Sequence, residues 1–310
     1  MALLVVGSIA LDSVQTPFGE VRDVLGGSAS YFAVAASYFA EVRMVGVIGE
    51  DFPDQGLELF RQHAIDIAGL EKRPGKTFRW KGEYNYDLNE AITLDTQLNV
   101  FQYFQPKIPL PYTQSDYVFL ANIDPELQLQ VLQQIPRPKL VACDTMNYWI
   151  RHKPEQLRET LRHVDLLTVN DAEARELTQE ANIVKAARQV LRLGPKTVVI
   201  KRGEYGALMC NQDTWFFAPA YPLETVYDPT GAGDSFAGGM MGYLANTDNL
   251  SEETLRQGII LGSTMASFAV EAFSLNRLSR LTYGEIEQRF KAFKSLVHFE
   301  DITVGKLEGM

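Results

Sequence analysis

The sequence predicts an α/β fold: a doubly wound, mostly parallel sheet flanked by helices, with a small β-sheet lid. Three observations lead there. Short apolar runs recur with helix-length stretches between them, one aromatic-rich segment breaks that rhythm, and a glycine-bracketed turn opens a helix late in the chain. Strands alternating with helices imply a parallel sheet covered on both faces. With 310 residues, 46% of them hydrophobic and 22% charged, the chain is expected to form a single domain over residues 1–310.

Residues 3–6 are a continuous apolar run ending at Gly7, the pattern of a central strand buried on both faces. No Lys or Arg precedes the run, so it reads as a first strand and not as a signal peptide. Residues 13–25 alternate and predict a hairpin that starts the lid. Gly26 and Gly27 then lead into an Ala-rich helix over 28–40, a strand over 42–48 and a helix over 53–63. Residues 76–104 supply the remaining lid strands. Their rings (Phe78, Trp80, Tyr84, Tyr86, Phe101, Tyr103 and Phe104) suit stacking on a sugar or base, a subunit contact, or simply holding the small sheet together.

The alternation resumes with apolar runs at 117–120, 140–143, 166–169 and 198–200, separated by helical stretches near 125–135, 154–164 and 172–193. Polar residues follow each run: Asn122 and Asp124, Asp144 and Asn147, Asn170 and Glu173, Lys201 and Gly203. In such sheets ligands bind beyond the carboxyl ends of the strands, so these residues face one common edge. Residues 202–206 turn into a strand at 207–210. Helices are expected over 251–271 and 282–297, and the tail from Glu300 is expected to be loosely held.

Composition narrows the function. A net charge of −10 and a pI near 5.0 argue against nucleic acid and anionic membranes as partners. No run of about 18 apolar residues offers a membrane span. Cys143 and Cys210 sit in apolar runs, as free thiols of a reducing, cytoplasmic compartment do. The four histidines are not paired at metal-ligand spacing, and the P-loop, GxGxxG and GxSxG patterns are missing.

The strongest chemical signal is residues 226–239, VYDPTGAGDSFAGG. Glycines around one alanine, at a helix N-terminus, leave backbone N–H groups free for an anion. Asp234 places a carboxylate beside that anion, which suits moving a phosphoryl group onto a hydroxyl. It also suits a plain helix-capping acid.

This segment resembles the D-T-x-G-A-G-D signature of the ribokinase-like (PfkB) carbohydrate kinases, with Pro229 in place of the usual Thr. The resemblance runs along nearly the whole chain: Gly7 and Asp12 are similar to the first substrate-contact region, Gly26-Gly27 to the hinge glycines, Asn170 to Glu173 to the N-x-x-E motif, and Lys201 to Gly206 to the nucleotide-side strand and turn. It implies ATP-dependent phosphorylation of an alcohol. Asp234 would be the base, and Gly231, Ala232 and Gly233 the anion hole. Asp12, Gly26, Gly27 and Tyr31 would face the acceptor; Lys201, Gly203, Gly206 and Thr230 would face the nucleotide. Asn170 and Glu173 would hold Mg²⁺ largely through water, and Asp228 with Thr230 would form a K⁺ loop. A homodimer through the lid is also implied.

Two departures bear on the acceptor. Tyr31 stands where sugar kinases of this family commonly place Asn, and residues 144–149 lack the Arg of some ketosugar and sugar-phosphate kinases. The expected acceptor is a sugar or polyol, with a nucleoside as the alternative. A non-catalytic ligand-binding regulator on the same scaffold is the competing class of reading.

Overall fold

The computed structural model describes residues 1–300, and the expectation for the tail beyond Glu300 lies outside them. In chain order the strands are β1 (Ala2–Val6), β2 (Ala10–Thr16), β3 (Gly19–Gly26), β4 (Glu41–Gly49), β5 (Asp66–Arg73), β6 (Phe78–Tyr84), β7 (Ala91–Gln97), β8 (Tyr117–Leu120), β9 (Leu140–Asp144), β10 (Leu166–Asn170), β11 (Thr197–Lys201), β12 (Ala207–Asn211) and β13 (Trp215–Ala218). The helices are α1 (Ser28–Ser37), α2 (Asp54–Gln62), α3 (Pro125–Leu132), α4 (Asn147–His152), α5 (Pro154–Leu161), α6 (Asp171–Thr178), α7 (Ile183–Leu191), α8 (Ala232–Thr247), α9 (Glu252–Ala269) and α10 (Tyr283–Val297).

The main sheet runs β13-β12-β11-β10-β9-β8-β1-β4-β5, parallel from β11 to β5 and antiparallel at β12 and β13. Its central strands read as unbroken apolar runs because both faces are covered. In β1, Leu3 and Val5 enter the core beneath α1, α8 and α9, whereas Leu4 and Val6 enter the core on the opposite face with α5 and α7. A missing side chain lets α8 approach α1: a Cβ on Gly238 would lie 2.3 Å from the Phe32 carbonyl oxygen. No helix of the described residues is long and apolar enough to cross a membrane.

The second sheet, β3-β2-β6-β7, is the lid. Its first hairpin starts at Ala10, three residues ahead of the alternating stretch, and β2 pairs with β6 in parallel. Residues 99–103 form a 3₁₀ turn and not a lid strand. Phe78, Phe101 and Phe104 stack on one another at centroid distances of 5.3 and 5.6 Å, so these rings join the lid to the main core. Tyr86 and Tyr103 are exposed.

Three further boundaries differ from the sequence reading. The helix predicted over 28–40 stops at Ser37. The stretch 172–193 is two helices, broken where Gln179 takes a left-handed conformation at φ 53°. Strands β5 and β13 carry no long apolar run because they lie at the sheet edges.

Candidate active site

Residues 228–234 lie between the lid and the carboxyl ends of β9, β10 and β11. The Asp228 carboxylate, almost fully buried, accepts hydrogen bonds from the N–H groups of Thr230 (2.9 Å) and Ser274 (3.3 Å), which ties the entry to the turn. Gly231 is left-handed at φ 75° and faces the ring of Tyr31. A Cβ there would lie 2.3 Å from that ring, so both conformation and space demand glycine. Helix α8 starts at Ala232. The Ala232 N–H is taken by the Pro229 carbonyl (3.2 Å) and the Ser235 N–H by that of Gly231 (2.8 Å). Between them, the N–H groups of Gly233 and Asp234 have no acceptor among the described residues. The Gly231 N–H has no acceptor among them either, so of the Gly231–Ala232–Gly233 set expected from sequence only the Ala232 N–H is engaged within the protein.

Asp12, in β2, is buried, and the Gly27 N–H donates to its Oδ2 at 3.3 Å. A Cβ on Gly26 would fall 1.9 Å from the same oxygen, and one on Gly27 (φ 91°) 2.6 Å from the Ser8 carbonyl oxygen. The two glycines thus form the wall against which Asp12 rests. Tyr31 is buried and serves as the floor of the glycine turn. From the lid, Tyr84 accepts a hydrogen bond from the Thr230 hydroxyl (3.2 Å), and the Thr16 hydroxyl donates to the Tyr227 carbonyl (2.9 Å).

At the strand ends, Asn170 and Glu173 form a reciprocal capping box on α6: each side chain accepts from the other's N–H at 2.7 Å. Lys201 bridges to the buried Asp144, Nζ to Oδ2 at 2.8 Å. Gly203 and Gly206, at φ 52° and 84°, shape the turn between β11 and β12. A Cβ on Gly203 would strike Asn89 of the lid at 2.4 Å.

These acids perturb one another. Burial pushes the Asp234 carboxyl up to about 8, with Asp144 adding to the rise and Lys201 opposing it. Burial likewise lifts Asp12 to about 7, against the Gly27 hydrogen bond. Glu173 rises to about 7 through burial and the nearby Asp144. Open amides beside a carboxylate of raised proton affinity can hold an anion and accept a proton from a neighbouring hydroxyl.

A family model described as pfkB family carbohydrate kinase matches residues 3–280. The chain belongs to the pfkB family of carbohydrate kinases. It is 32% identical over 265 residues, 83% of this chain and 93% of the relative, to a cytidine kinase of Thermococcus kodakarensis. A nucleoside kinase of Methanocaldococcus jannaschii is 24% identical over 267 residues, 84% of this chain and 83% of that one. Among solved structures, a Methanocaldococcus jannaschii nucleoside kinase superimposes with a TM-score of 0.75 (21% identity, 94% and 98% of the two chains) and a putative ribokinase II of E. coli with 0.78 (18%, 94% and 99%). The protein is thus a phosphotransferase with an alcohol acceptor, a sugar or nucleoside kinase of the ribokinase fold.

Three features of this pfkB kinase escaped the sequence reading. Asp144 was one polar residue among several following a strand; its partnership with Lys201 spans 57 positions. Ser274, which holds Asp228, sits in a loop with no motif. Tyr84 is one of seven lid rings, and its place at the end of β6, opposite Ala91 of β7, brings its hydroxyl to Thr230. The family uses ATP, generally with Mg²⁺, and the donor set is consistent with that. No group of three or more His, Cys, Asp or Glu gathers as a direct metal cage among the described residues. Glu173 spends one oxygen on its cap and keeps the other, which suits an ion held mainly by phosphate and water.

Proposed function

We propose that this kinase transfers the γ-phosphoryl group of ATP to a ribose hydroxyl of a nucleoside. The acceptor rests on one observation: likeness along 83% of the chain to a relative described as a cytidine kinase. This favours the nucleoside over the sugar or polyol that motifs alone suggested. Ribose itself is the second reading, since a ribokinase of Lactococcus lactis is 28% identical over 280 residues.

In this reading Asp12, braced by Gly26 and Gly27, accepts hydrogen bonds from acceptor hydroxyls, with Tyr31 and Tyr84 walling the pocket. Asp234 orients the reacting hydroxyl and takes its proton as the new O–P bond forms and the bond to the ADP oxygen breaks. The open amides at Gly231, Gly233 and Asp234, with Ala232 closing the turn between them, receive the negative charge of the transferring phosphoryl group. Such transfers run through loose transition states, so positioning and charge neutralisation carry most of the acceleration. Lys201, Gly203, Gly206 and Thr230 line the nucleotide side. Asn170 and Glu173 would hold Mg²⁺ through water, where it neutralises phosphate charge. Asp228 and Thr230 would form a K⁺ loop, whose cation offsets the buried Asp228 charge.

One assay tests the set: ATP consumption with cytidine, other nucleosides, ribose, fructose and a cyclitol, with and without Mg²⁺, in K⁺ against Na⁺. The expected result is Mg²⁺-dependent turnover led by a nucleoside and enhanced by K⁺. Faster turnover of free ribose would replace the acceptor, and no turnover with any of them would favour a non-catalytic binder. A homodimer through the lid belongs to the same proposal: edge strand β7 exposes Ile92 and Leu94. Replacing both by Glu should shift gel-filtration elution from dimer to monomer.

A further inference from the structure

Around the glycine turn stand the carboxylates of Asp12, Asp144, Glu173, Asp228 and Asp234, and among them the ammonium of Lys201. A centre that must accept a triphosphate is lined with acids, so the placing of its cation matters. We propose that Asp144 and Lys201 act as a dyad: Asp144 is a positioning residue that aims the Lys201 ammonium at the Gly233 turn, where it meets the γ-phosphoryl oxygens. The inference rests on the kinase reading and deepens it by assigning Asp144 a part and Lys201 a specific atom to meet.

The geometry is specific. Lys201 ends β11 and Asp144 ends β9, with β10 between them. Strands two apart are separated by roughly 10 Å, so the lysine side chain lies across the carboxyl edge of the sheet. Asp144 is fixed at three points. Its Oδ2 accepts from Lys201 (2.8 Å), its Oδ1 from the Thr145 N–H (2.9 Å), and its carbonyl from the buried Gln128 amide (2.9 Å). The ammonium also reaches the helix start: a Cβ on Gly233 would lie 2.9 Å from Nζ. Gly233 carries one of the open N–H groups, so the cation stands beside that amide.

An ammonium has three donors, and the bond to Asp144 uses one. The others remain for phosphoryl oxygens without breaking the pair. A purely structural ion pair would have no reason to abut the anion turn.

The test reads nucleotide binding without an acceptor, so it stands or falls separately from the nucleoside assignment. ADP and the non-hydrolysable ATP analogue AMP-PNP are titrated calorimetrically, with Mg²⁺, into wild type, Lys201→Met, Lys201→Arg and Asp144→Asn. Steady-state kinetics follow with the best acceptor from the panel. Lys201→Met should lose AMP-PNP affinity at least about tenfold more than ADP affinity, and kcat should fall about 10²-fold, the usual cost of one oxyanion donor. The acceptor KM should stay within about threefold. Lys201→Arg should recover part of the loss. Asp144→Asn, the same shape without the charge, should show the same pattern at smaller amplitude. Equal weakening of ADP and AMP-PNP in Lys201→Met, or wild-type discrimination in Asp144→Asn, would overturn the dyad.

Discussion

Asp234 is subject to two opposed influences, and their magnitudes decide its state. The N-terminus of α8 favours a carboxylate by ~0.3–1 kcal/mol, less than one pKa unit of about 1.4 kcal/mol. Burial, with the charges of Asp144, Asp12 and Glu173, outweighs that and the help of Lys201, and the group ends near 8. A helix start by itself would make Asp234 a weaker base; the structure reverses the sign because the competing acids come from three distant segments. Two predictions follow from the residue itself. Asp234→Asn should lower kcat by ~10³-fold or more while ATP affinity changes little, since the loss is of proton transfer and orientation; near-wild-type turnover would remove the base assignment. In the free enzyme only the ionised form can accept a proton, so kcat/KM should climb as pH rises, by about tenfold per unit on the acid side, and level off above about pH 8. A profile flat from pH 6 to 9 would contradict it.

At the scale of elements, the strongest local patterns were legible and the edges were not. The runs that became β1, β4, β8, β9, β10 and β11 could be read because strands covered on both faces must be apolar throughout. β5 (DIAGLEKR) could not, since an edge strand alternates and carries charge. The N-x-x-E motif was read as a metal site, but geometry gives it a structural duty as well: it caps α6. The two duties separate by substitution. Glu173→Gln keeps an acceptor for the Asn170 N–H and should melt within about 2 °C of wild type at pH 5, where the raised carboxyl is neutral, yet require more Mg²⁺ for half-maximal rate. Glu173→Ala should lose about 1 kcal/mol of stability besides, as a lost cap does. If Glu173→Gln leaves the Mg²⁺ requirement unchanged, the residue is a cap alone. Gly231→Ala combines a strained φ with a collision against Tyr31 and should abolish turnover even where the protein still folds.

At the scale of the whole molecule, the lid and the main sheet converge on the turn that sequence had singled out. Sequence could mark the turn and the strand ends but not the cross-chain pairings, such as Thr16 with Tyr227 or Tyr84 with Thr230 across more than a hundred residues. That convergence buries acids together, and a site built this way works against the stability of the fold. Asp12 and Asp234 have folded-state pKa values near 7 and 8, against 3.8 when unfolded. Between those limits the folded protein binds more protons than the unfolded chain, so stability falls as pH rises from about 4 to 8. Below that window, carboxylates held low by partners, such as Glu285 near 2 beside Arg277, are protonated and stability falls again. Without ligands, Tm should therefore peak on the acid side of neutrality. Asp234→Asn, which removes one of the misplaced charges, should raise Tm at pH 8 by about 2 °C or more and by a clearly smaller amount at pH 5, near the foot of the window. Thermal melts of both proteins at the two pH values decide this. An equal shift at both would mean that the substitution acts through packing, and that the active-site acids do not oppose the fold.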